Sequence, residues 1–306
     1  MINILYIAGA GRSGSTLLER ILGQIDVCVA VGEFRHLWRI APSQQQCGCG
    51  KPLDQCDFWR EVLARVNVEP NNEAFRSIYE AQQQVDRLRY IPQMISSVPA
   101  GRIFKQRQQN YTDTLRQMYL AIHELTDASV IVEASKDVST LYLLSAMEDV
   151  CIRVLHLVRD SRAVAYSWTR EKVLLHRVEK DSYMPRYSPQ YSAGDWMYRN
   201  ILTELAHSRA DGYRRLRYKD LLAHPRETIE SIARFIQLPS ADLGFIEGNE
   251  LKFSRVSHTI AGNPSLLEQG PVQLRFDNVW QQEMKKTDQV TVATLTWPLL
   301  KRYGYL

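Results

Sequence analysis

The first stretch of the chain with residues suited to chemistry is the loop from Gly9 to Thr16, which contains glycines, hydroxyl side chains and one arginine. It follows directly on the apolar, β-branched run Ile2 to Ala8, and leucines at helical spacing come after it. This order predicts a buried strand, a tight loop and a helix. Loop amides, the free N–H groups of a first helical turn and the helix dipole point to one place, so the stretch is predicted to cradle a phosphate-like anion.

The spacing of this loop is close to that of a Walker A motif. Gly9, Gly14 and Thr16 fit the pattern GxxxxGK[ST], but Ser15 stands in the lysine position and the cation is Arg12. A Walker lysine binds the β- and γ-phosphates and the hydroxyl binds magnesium, so this variant suits a phosphate-like group better than magnesium-nucleotide chemistry. The alternative interpretation is a plain glycine turn in an α/β protein.

A second candidate anion site follows the apolar run Ile152 to Val158, which is predicted to be a buried strand. Arg159 stands at the tip of this strand, and Ser167 follows about two helical turns later. A guanidinium and a hydroxyl in these places could bracket a second phosphate. Taken alone, the stretch would be a surface ion pair with Asp160 and a polar helix residue, but the neighbouring loop favours the anion site.

Alternating strands and helices must position these residues. Apolar runs predict strands over 2–8, 27–31, 129–133, 152–158 and 213–218. Helical spacing predicts six further helices: one that ends at about 40, one over 72–89, one that begins at about 112, one over 139–147, one that begins at about 161, and one over 196–210. Proline marks a break at 92–99, and residues 178–194 are predicted to form a loop or lid. The predicted fold class is α/β, a P-loop-like three-layer sandwich with a mainly parallel central sheet and a helical insertion lobe, and ligands are expected outside the carboxyl ends of the strands.

Composition and charge exclude several classes of protein. The 306 residues are 45% hydrophobic and 24% charged, which is typical of a globular chain with a sizeable core. The net charge of +4 is mild and no dense Lys/Arg stretch with interleaved aromatics is present, so an anionic ligand pocket is favoured and nucleic acid is not an expected partner. No apolar run reaches membrane-spanning length and the apolar start lacks a basic flank, so the sequence predicts a cytoplasmic protein without a transmembrane segment.

Three clustered cysteines, Cys47, Cys49 and Cys56, form a separate candidate site. Three thiols suggest zinc, but no fourth histidine or cysteine stands near them in the sequence. A loop that is stapled by a disulfide, or simply packed against Trp59, is therefore favoured over a metal.

Together, these motifs resemble those of the sulfotransferases that use 3′-phosphoadenosine 5′-phosphosulfate (PAPS). The stretch Gly11 to Leu18 is similar to the 5′-phosphosulfate loop of that family, and Arg159 to Ser167 is similar to its 3′-phosphate motif. Tyr218-Lys-Asp-Leu resembles the family's Tyr-Glu-Asp-Leu segment, whose tyrosine lies by the adenine, although Lys219 replaces the glutamate.

The most similar branch is the bacterial one that shares features with tyrosylprotein sulfotransferases. Its marks are Gly32-Glu33, the cysteine-rich loop, Ala134-Ser-Lys-Asp and the stretch His258 to Pro264. The resemblance implies a co-substrate, PAPS, and no catalytic metal. The cofactor-binding residues that it implies are Gly11, Arg12, Ser13, Gly14, Ser15, Thr16, Leu17, Arg159, Ser167, Tyr218, Gly262 and Asn263.

The resemblance also implies three catalytic residues. Arg12 and Lys136 would stabilise charge on the transferred group and the leaving phosphate, and Glu33 would be the general base. His36 is the rival base, because a histidine serves in the cytosolic sulfotransferases and an ordinary imidazole pKa suits the task. The alternatives without catalysis are a surface ion pair of Lys136 with Asp137 and a helix-start charge at Glu33.

The predicted function is therefore transfer of a sulfonyl group from PAPS to an alcohol, phenol or sugar hydroxyl. A P-loop small-molecule kinase and a non-catalytic nucleotide-binding protein are the alternatives. Residues 1–306 are predicted to form a single domain, in which a mostly helical insertion of about 41–127 forms part of the acceptor site. The acceptor is expected to be a small molecule, a glycan or a peptide, and a homodimer is allowed for.

Overall fold

A parallel five-stranded sheet forms the centre of the structure. The computed structural model describes residues 1–41, 45–69, 73–95, 101–171, 183–238, 240–262, 267, 270–276 and 278–306. Within them, the sheet strands are β1 (Ile2–Ala8), β2 (Cys28–Gly32), β3 (Val130–Lys136), β4 (Val150–Val158) and β5 (Gly212–Arg217). Their order is β2-β3-β1-β4-β5, and every neighbouring pair is parallel. The predicted α/β fold with a mainly parallel sheet is confirmed.

Helices flank this sheet, and a small antiparallel sheet follows it in the chain. The helices before β4 are α1 (Ser15–Leu22), α2 (Leu37–Ile40), α3 (Asp57–Arg65), α4 (Glu73–Val85), α5 (Ile91–Ile95), α6 (Arg102–Thr126) and α7 (Val138–Leu144). Those after it are α8 (Ser161–Thr169), α9 (Pro189–Leu205), α10 (Tyr218–Ala223), α11 (Pro225–Phe235), α12 (Val279–Glu283) and α13 (Lys286–Arg302). The second sheet consists of β6 (Ile246–Glu247), β7 (Glu250–Phe253) and β8 (Gly270–Gln273).

The apolar residues of β1 face two different cores. Ile4 and Tyr6 pack in a cluster with apolar residues of α6 and α7, whereas Leu5 and Ile7 pack in a second cluster with residues of α1 and α11. Side chains of a strand point alternately to opposite faces, so a continuous apolar run is needed when both faces are covered. The layers are therefore helix, sheet and helix.

The register of the strands brings the predicted motifs to one edge. Ala8 of β1 is paired with Lys136 of β3 and with His156 of β4, so the carboxyl ends of these strands are nearly level. The phosphate loop begins immediately after Ala8, and Arg159 follows the last residue of β4. Gly32 of β2 is paired with β3 as well, which brings Glu33 to the same edge.

A buried ionic network attaches the helices between β2 and β3 to this edge. Asp86 is fully buried and accepts hydrogen bonds from Arg35 Nε at 2.9 Å and Ser139 Oγ at 2.6 Å. Asp137, the residue after β3, pairs with Arg35 and at 3.0 Å with Arg199 of α9. Because the carboxylates are paired and hydrogen-bonded, the network fixes the helices α2–α6 against the end of β3.

Several predicted boundaries need correction. α6 begins at Arg102, about ten residues before the predicted start, and α5 lies inside the predicted break at 92–99, of which 96–99 fall outside the described residues. α9 begins at Pro189, so part of the predicted loop over 178–194 is helical, and 178–182 lie outside the described residues. The reason is local: Ser188 caps α9 by accepting from Tyr191 N, and Pro189 occupies the first turn.

Several elements in the last third of the chain were missed by the sequence patterns. α10 and the sheet β6–β8 are short, and α12 and α13 lie beyond the last matched motif. In the described part of the chain, no helix is both long enough and apolar enough to span a bilayer.

Strand β4 buries a neutral histidine. His156 is fully buried, with Asn200 Oδ1 2.7 Å from its Nε2 and Tyr213 Oη 2.7 Å from its Nδ1. Because Asn200 Nδ2 donates to Trp196 O, Asn200 Oδ1 accepts from Nε2–H and the Tyr213 hydroxyl donates to Nδ1. Burial lowers the pKa of His156 to about 4.

We expect the free energy of unfolding to fall as the pH drops from about 6.5 to about 4, because the unfolded chain binds a proton at this histidine and folded His156 does not. The loss from this group between about pH 7 and about pH 4.5 is about 2 kcal/mol. Urea unfolding should show this loss in the wild type and in the control His224→Gln, an exposed site, but not in His156→Gln. Equal pH dependence in all three proteins would contradict the assignment.

Candidate functional site

The loop between β1 and α1 is shaped for close approach of a ligand. Gly14 has a φ of 97°, in the left-handed region, and a Cβ there would overlap the ring of Tyr218. Only glycine fits both conditions. Ser13 is buried, and its hydroxyl has no hydrogen-bond partner among the described residues. A buried hydroxyl of this kind is a ready donor for an anion in the loop.

Arg12 projects from this loop toward helix α8. Its Nε donates to Ser167 Oγ at 3.0 Å, and its guanidinium lies 5.6 Å from the ring centre of Trp168. Burial and, after it, the neighbouring Arg159 lower the pKa of Arg12 to about 10. Two cations so close together favour the binding of an anion between or beside them.

Arg159 completes this cationic pair from the tip of β4. Its Nη1 donates to the backbone oxygen of Arg12 at 2.6 Å, and its guanidinium lies 5.3 Å from the ring centre of Tyr218. Burial lowers its pKa. Ser167, which was predicted with Arg159 as a ligand of the 3′-phosphate, accepts this hydrogen bond from Arg12 and so connects the two predicted phosphate sites. Its role as a phosphate ligand stays a prediction.

A cavity opens beside this pair. Its volume is about 210 Å³. Its wall combines cations with aromatic rings and includes Arg159, Tyr218, Lys219, Phe276, Trp280 and Tyr305. Aromatic faces suit a planar ring and the guanidinium suits a phosphate, so the lining fits a phosphorylated nucleoside.

Glu33 and Lys136 form an ion pair at the neighbouring strand tips. Lys136 Nζ lies 2.5 Å from Glu33 Oε1, and His36 Nε2 lies 3.4 Å from Glu33 Oε2. Burial disfavours the Glu33 carboxylate, but Lys136 and then His36 outweigh burial and hold its pKa well below the ordinary value. Both predicted bases therefore lie in one cluster, and Glu33 is a carboxylate at neutral pH.

Both predicted catalytic cations have an unusual backbone. Arg12 has a φ of 66° and Lys136 a φ of 68°, in the left-handed region that residues with a side chain rarely adopt. Strain of this kind persists where the surrounding structure imposes it, and it is concentrated at functional sites. Arg12 and Lys136 are thus two of the six described non-glycine residues with a positive φ.

The predicted residues near the carboxyl end of the chain approach the same site. A Cβ on Gly262 would lie 3.0 Å from Thr16 Oγ1 and 3.9 Å from Glu33 Oε1. Glu33 N donates to Ile260 O at 2.7 Å. Asn263 lies outside the described residues.

The other predicted loop residues have plain structural surroundings. A Cβ on Gly11 would meet the ring of Trp168, Ser15 is buried at the start of α1, and Leu17 packs half-buried against the α1 and α11 core. The structure thus gathers the described members of the predicted set at one edge of the sheet. The role of each in binding or catalysis stays a prediction.

The cysteine-rich loop contains no disulfide. Cys47, Cys49 and Cys56 are free thiols, so of the two arrangements expected, the disulfide is wrong. Packing against Trp59 is confirmed, because Cys47, Cys56 and Trp59 belong to one buried cluster.

Sequence reasoning missed several supporting residues. One is Glu133, which is fully buried, accepts from Ser135 N at 2.9 Å and has a pKa raised to about 8 by burial. Ser135 in turn accepts from Arg35 N at 3.0 Å. The available signal was a carboxyl residue inside an otherwise apolar strand, three positions before Lys136.

Comparisons with known proteins show the family and the fold. The sequence model of the sulfotransferase family matches residues 5–242. No curated protein matches the chain. The sulfotransferase domain from the Synechococcus PCC 7002 olefin synthase has a similar fold, with 18% identity, a TM-score of 0.53 and coverage of 97% of this chain and 94% of that one. The sulfotransferase domain from the curacin biosynthetic pathway has 16% identity, a TM-score of 0.51 and coverage of 97% and 98%.

The family match extends from β1 past α11, so it contains the phosphate loop, the Glu33–Lys136 pair and the tip of β4. The solved domains add agreement in fold over nearly the whole chain. Sulfotransfer is the reaction that the family and the fold support, and this chain belongs to the sulfotransferase family.

Proposed function

We propose that this protein transfers the sulfonyl group of PAPS to a hydroxyl group of an acceptor. The observation that carries the proposal is the pairing of two sites at one sheet edge. The buried guanidiniums of Arg12 and Arg159 lie at one of them, and the ion pair of Glu33 with Lys136 lies at the other. Sulfonyl transfer needs positive charge around the leaving phosphate and a base beside the acceptor, and this edge supplies both.

The proposed donor site uses the loop and the tip of β4. Arg12, the loop amides and the Ser13 hydroxyl would hold the 5′-phosphosulfate. Arg159 would hold the 3′-phosphate, and Ser167 would keep Arg12 in place between the two groups. The aromatic wall at Tyr218 suits the adenine.

In the proposed reaction, the acceptor oxygen forms a bond to sulfur while the bond from sulfur to the bridging phosphate oxygen breaks in line. The acceptor proton passes to a carboxylate oxygen of Glu33. The electron pair of the broken bond stays on the phosphate of the product, 3′-phosphoadenosine 5′-phosphate (PAP). Arg12 and Lys136 stabilise this charge as it develops.

The Glu33–Lys136 pair gives the proposed base a second feature. A carboxylate held in a tight ion pair is a weak base, because general bases work best when their pKa is near the operating pH. We infer that, when the donor binds, Lys136 leaves the carboxylate of Glu33 and pairs with the sulfonyl oxygens of the donor. Glu33 then gains proton affinity at the step in which the acceptor loses its proton. His36 is the rival base and lies next to the same carboxylate.

The proposed acceptor site lies between Glu33 and the helices α2–α6. These helices follow Glu33 in the chain, and the Asp86–Arg35 pair attaches them to the end of β3. On this proposal, 1–306 is a single domain with the helical insertion as its acceptor side. The acceptor type, whether small molecule, glycan or peptide, stays a prediction, as do a cytoplasmic location and a homodimer.

The first prediction tests the donor. PAP without magnesium should raise the melting temperature, with a stabilisation of about 2.7 kcal/mol at about 100 times its Kd. ATP with magnesium should stabilise weakly or not at all, because the loop has Ser15 where a Walker loop has lysine. Thermal unfolding with each ligand measures both effects. Equal or greater stabilisation by magnesium-ATP would instead support a kinase.

The second prediction tests the 3′-phosphate site. Arg159→Ala should weaken PAP binding by the value of a charge-assisted contact, about 1.5–3 kcal/mol, and should barely change binding of the analogue without the 3′-phosphate. Isothermal titration with both ligands measures this difference. Arg153→Ala is the matched control, because it removes an arginine of the same strand about 20 Å away. An equal loss for both ligands in Arg159→Ala would show that the assignment is wrong.

The third prediction tests the base. Glu33→Gln keeps the shape of the side chain but accepts no proton, so turnover should fall by about two to four orders of magnitude while PAP affinity survives. His36→Ala should have a much milder effect. PAP release is measured with the best acceptor from a panel of phenols, alcohols, sugars and peptides, beside PAP titrations. A His36→Ala protein that binds PAP but is inactive, or near-normal turnover in Glu33→Gln, would point to the histidine.

A further inference from the structure

Four side chains outside the sheet edge converge on one point. They are Cys47, Cys49 and Cys56 of the cysteine-rich loop and His258, whose ligand-type atoms all lie within 4.8 Å of one another. His258 is 202 residues after Cys56 in the chain, so only the tertiary structure brings the fourth group to the three thiols. Three sulfurs and one imidazole nitrogen form a common set of zinc ligands.

Four of the six distances between these atoms are close to those of a tetrahedral metal site. Cys56 Sγ lies 3.6 Å from Cys47 Sγ and 3.7 Å from Cys49 Sγ. His258 Nδ1 lies 3.3 Å from Cys56 Sγ and 3.8 Å from Cys47 Sγ. Zinc–sulfur bonds of about 2.3 Å and a zinc–nitrogen bond of about 2.0 Å at tetrahedral angles give sulfur–sulfur distances of about 3.8 Å and sulfur–nitrogen distances of about 3.6 Å.

The surroundings of the cluster hold its members in place. Cys47 and Cys56 are fully buried. The His258 ring stacks on Phe58 at 4.7 Å between centres and 11° between planes. Trp59 Nε1 donates to His258 O at 2.8 Å. Packing and hydrogen bonds that orient the ligands are the usual second layer of a metal site.

Backbone amides also face the sulfurs. The amide of Lys51 is directed toward the Cys49 sulfur, and the amide of Trp59 toward the Cys56 sulfur. A tight turn runs from Cys47 to Gly50, and in it Gly50 N donates to Cys47 O at 2.8 Å. A tight turn that directs amides at sulfur stabilises thiolates, which are the form that binds metal.

We propose that Cys47, Cys49, Cys56 and His258 bind one structural Zn²⁺ ion. Each thiol would lose its proton to solvent as its zinc–sulfur bond forms, and His258 would bind through Nδ1 in its neutral form. Four protein ligands leave no open position, so the ion is structural and not catalytic. Soft sulfur ligands in a tetrahedral arrangement favour zinc over magnesium or calcium.

A disulfide explains the cluster less well. It would join two of the three thiols and leave the third, and Cys56 Sγ is nearly equidistant from the other two sulfurs. It would also give no role to the nitrogen of His258 beside Cys56. A single tetrahedral ion uses all four groups.

The ion would tie the cysteine-rich loop to the segment that supports Glu33. Directly after His258, Thr259 O accepts from Gly48 N at 3.0 Å. Ile260 then bonds to both sides of Gly32, because its N donates to Val31 O and its O accepts from Glu33 N. A Cβ on Gly32 would overlap the Ile260 backbone, so the two segments are in direct contact. The metal therefore would hold the turn that carries Glu33.

Metal analysis of the full chain, purified without chelators from cells grown with added zinc, tests the proposal. We expect about one zinc per chain, and binding of added Co²⁺ to the metal-free chain with the visible bands of a tetrahedral, sulfur-ligated ion. Removal of zinc should lower the melting temperature, and added zinc should restore it. These readouts do not depend on sulfotransferase activity, so a failure of the proposed function leaves them unchanged.

Two variants and a matched control locate the site. Cys49→Ser and His258→Asn should reduce bound zinc to below about a tenth of an equivalent after dialysis. Cys151→Ser removes a half-buried thiol of β4 and should keep the full equivalent. The proposal is overturned when the wild-type chain holds no zinc and its metal-free form gives no cobalt bands. Full zinc binding in both ligand variants also overturns it. If either variant fails to fold, the cobalt spectrum of the wild type decides.

Discussion

Two half-buried guanidinium groups, those of Arg12 and Arg159, lie close together, and the rest of the site depends on this constraint. Like charges in a buried place repel, so the structure surrounds them with acceptors and ring faces. Arg159 donates to the backbone of Arg12, Arg12 donates to Ser167, and the rings of Trp168 and Tyr218 face the two cations. An anion placed here would relieve the remaining repulsion, so the proposed donor site joins the loop, the tip of β4 and the start of α10.

The Glu33–Lys136 pair at the sheet edge is held from three directions. Lys136 fixes Glu33 from β3, and the next residue, Asp137, is tied to Arg35 and Arg199 and so to the helical insertion and α9. Ile260 holds the backbone of Glu33 from the other side, and the cysteine cluster supports that segment. Glu33, Lys136 and the helical insertion therefore share one frame, and the proposed in-line reaction requires such fixed geometry.

Much of the fold could be predicted because its signals are local. The strands β1 and β4 are mostly apolar runs that are followed by Gly9 and Arg159, and both were predicted to within about two residues. The start of α6 was placed too late, because its first turns carry few apolar residues and become helical through packing of the later turns against α3 and α4. Short elements such as α10 and β6 have too few residues to show a period.

By itself, the sequence determined the strand, loop and helix around Gly9 to Thr16, the two strand-tip motifs and most of the order of strands and helices, because each depends on neighbours a few residues away. Only the tertiary structure decided which groups meet. Arg12 donates a hydrogen bond to Ser167, which lies 155 positions away in the chain. His258 joins thiols more than 200 residues before it. Such pairs depend on strand register and on the paths of connecting segments, which form only when the apolar faces of the sheet are buried, so no local pattern contains them.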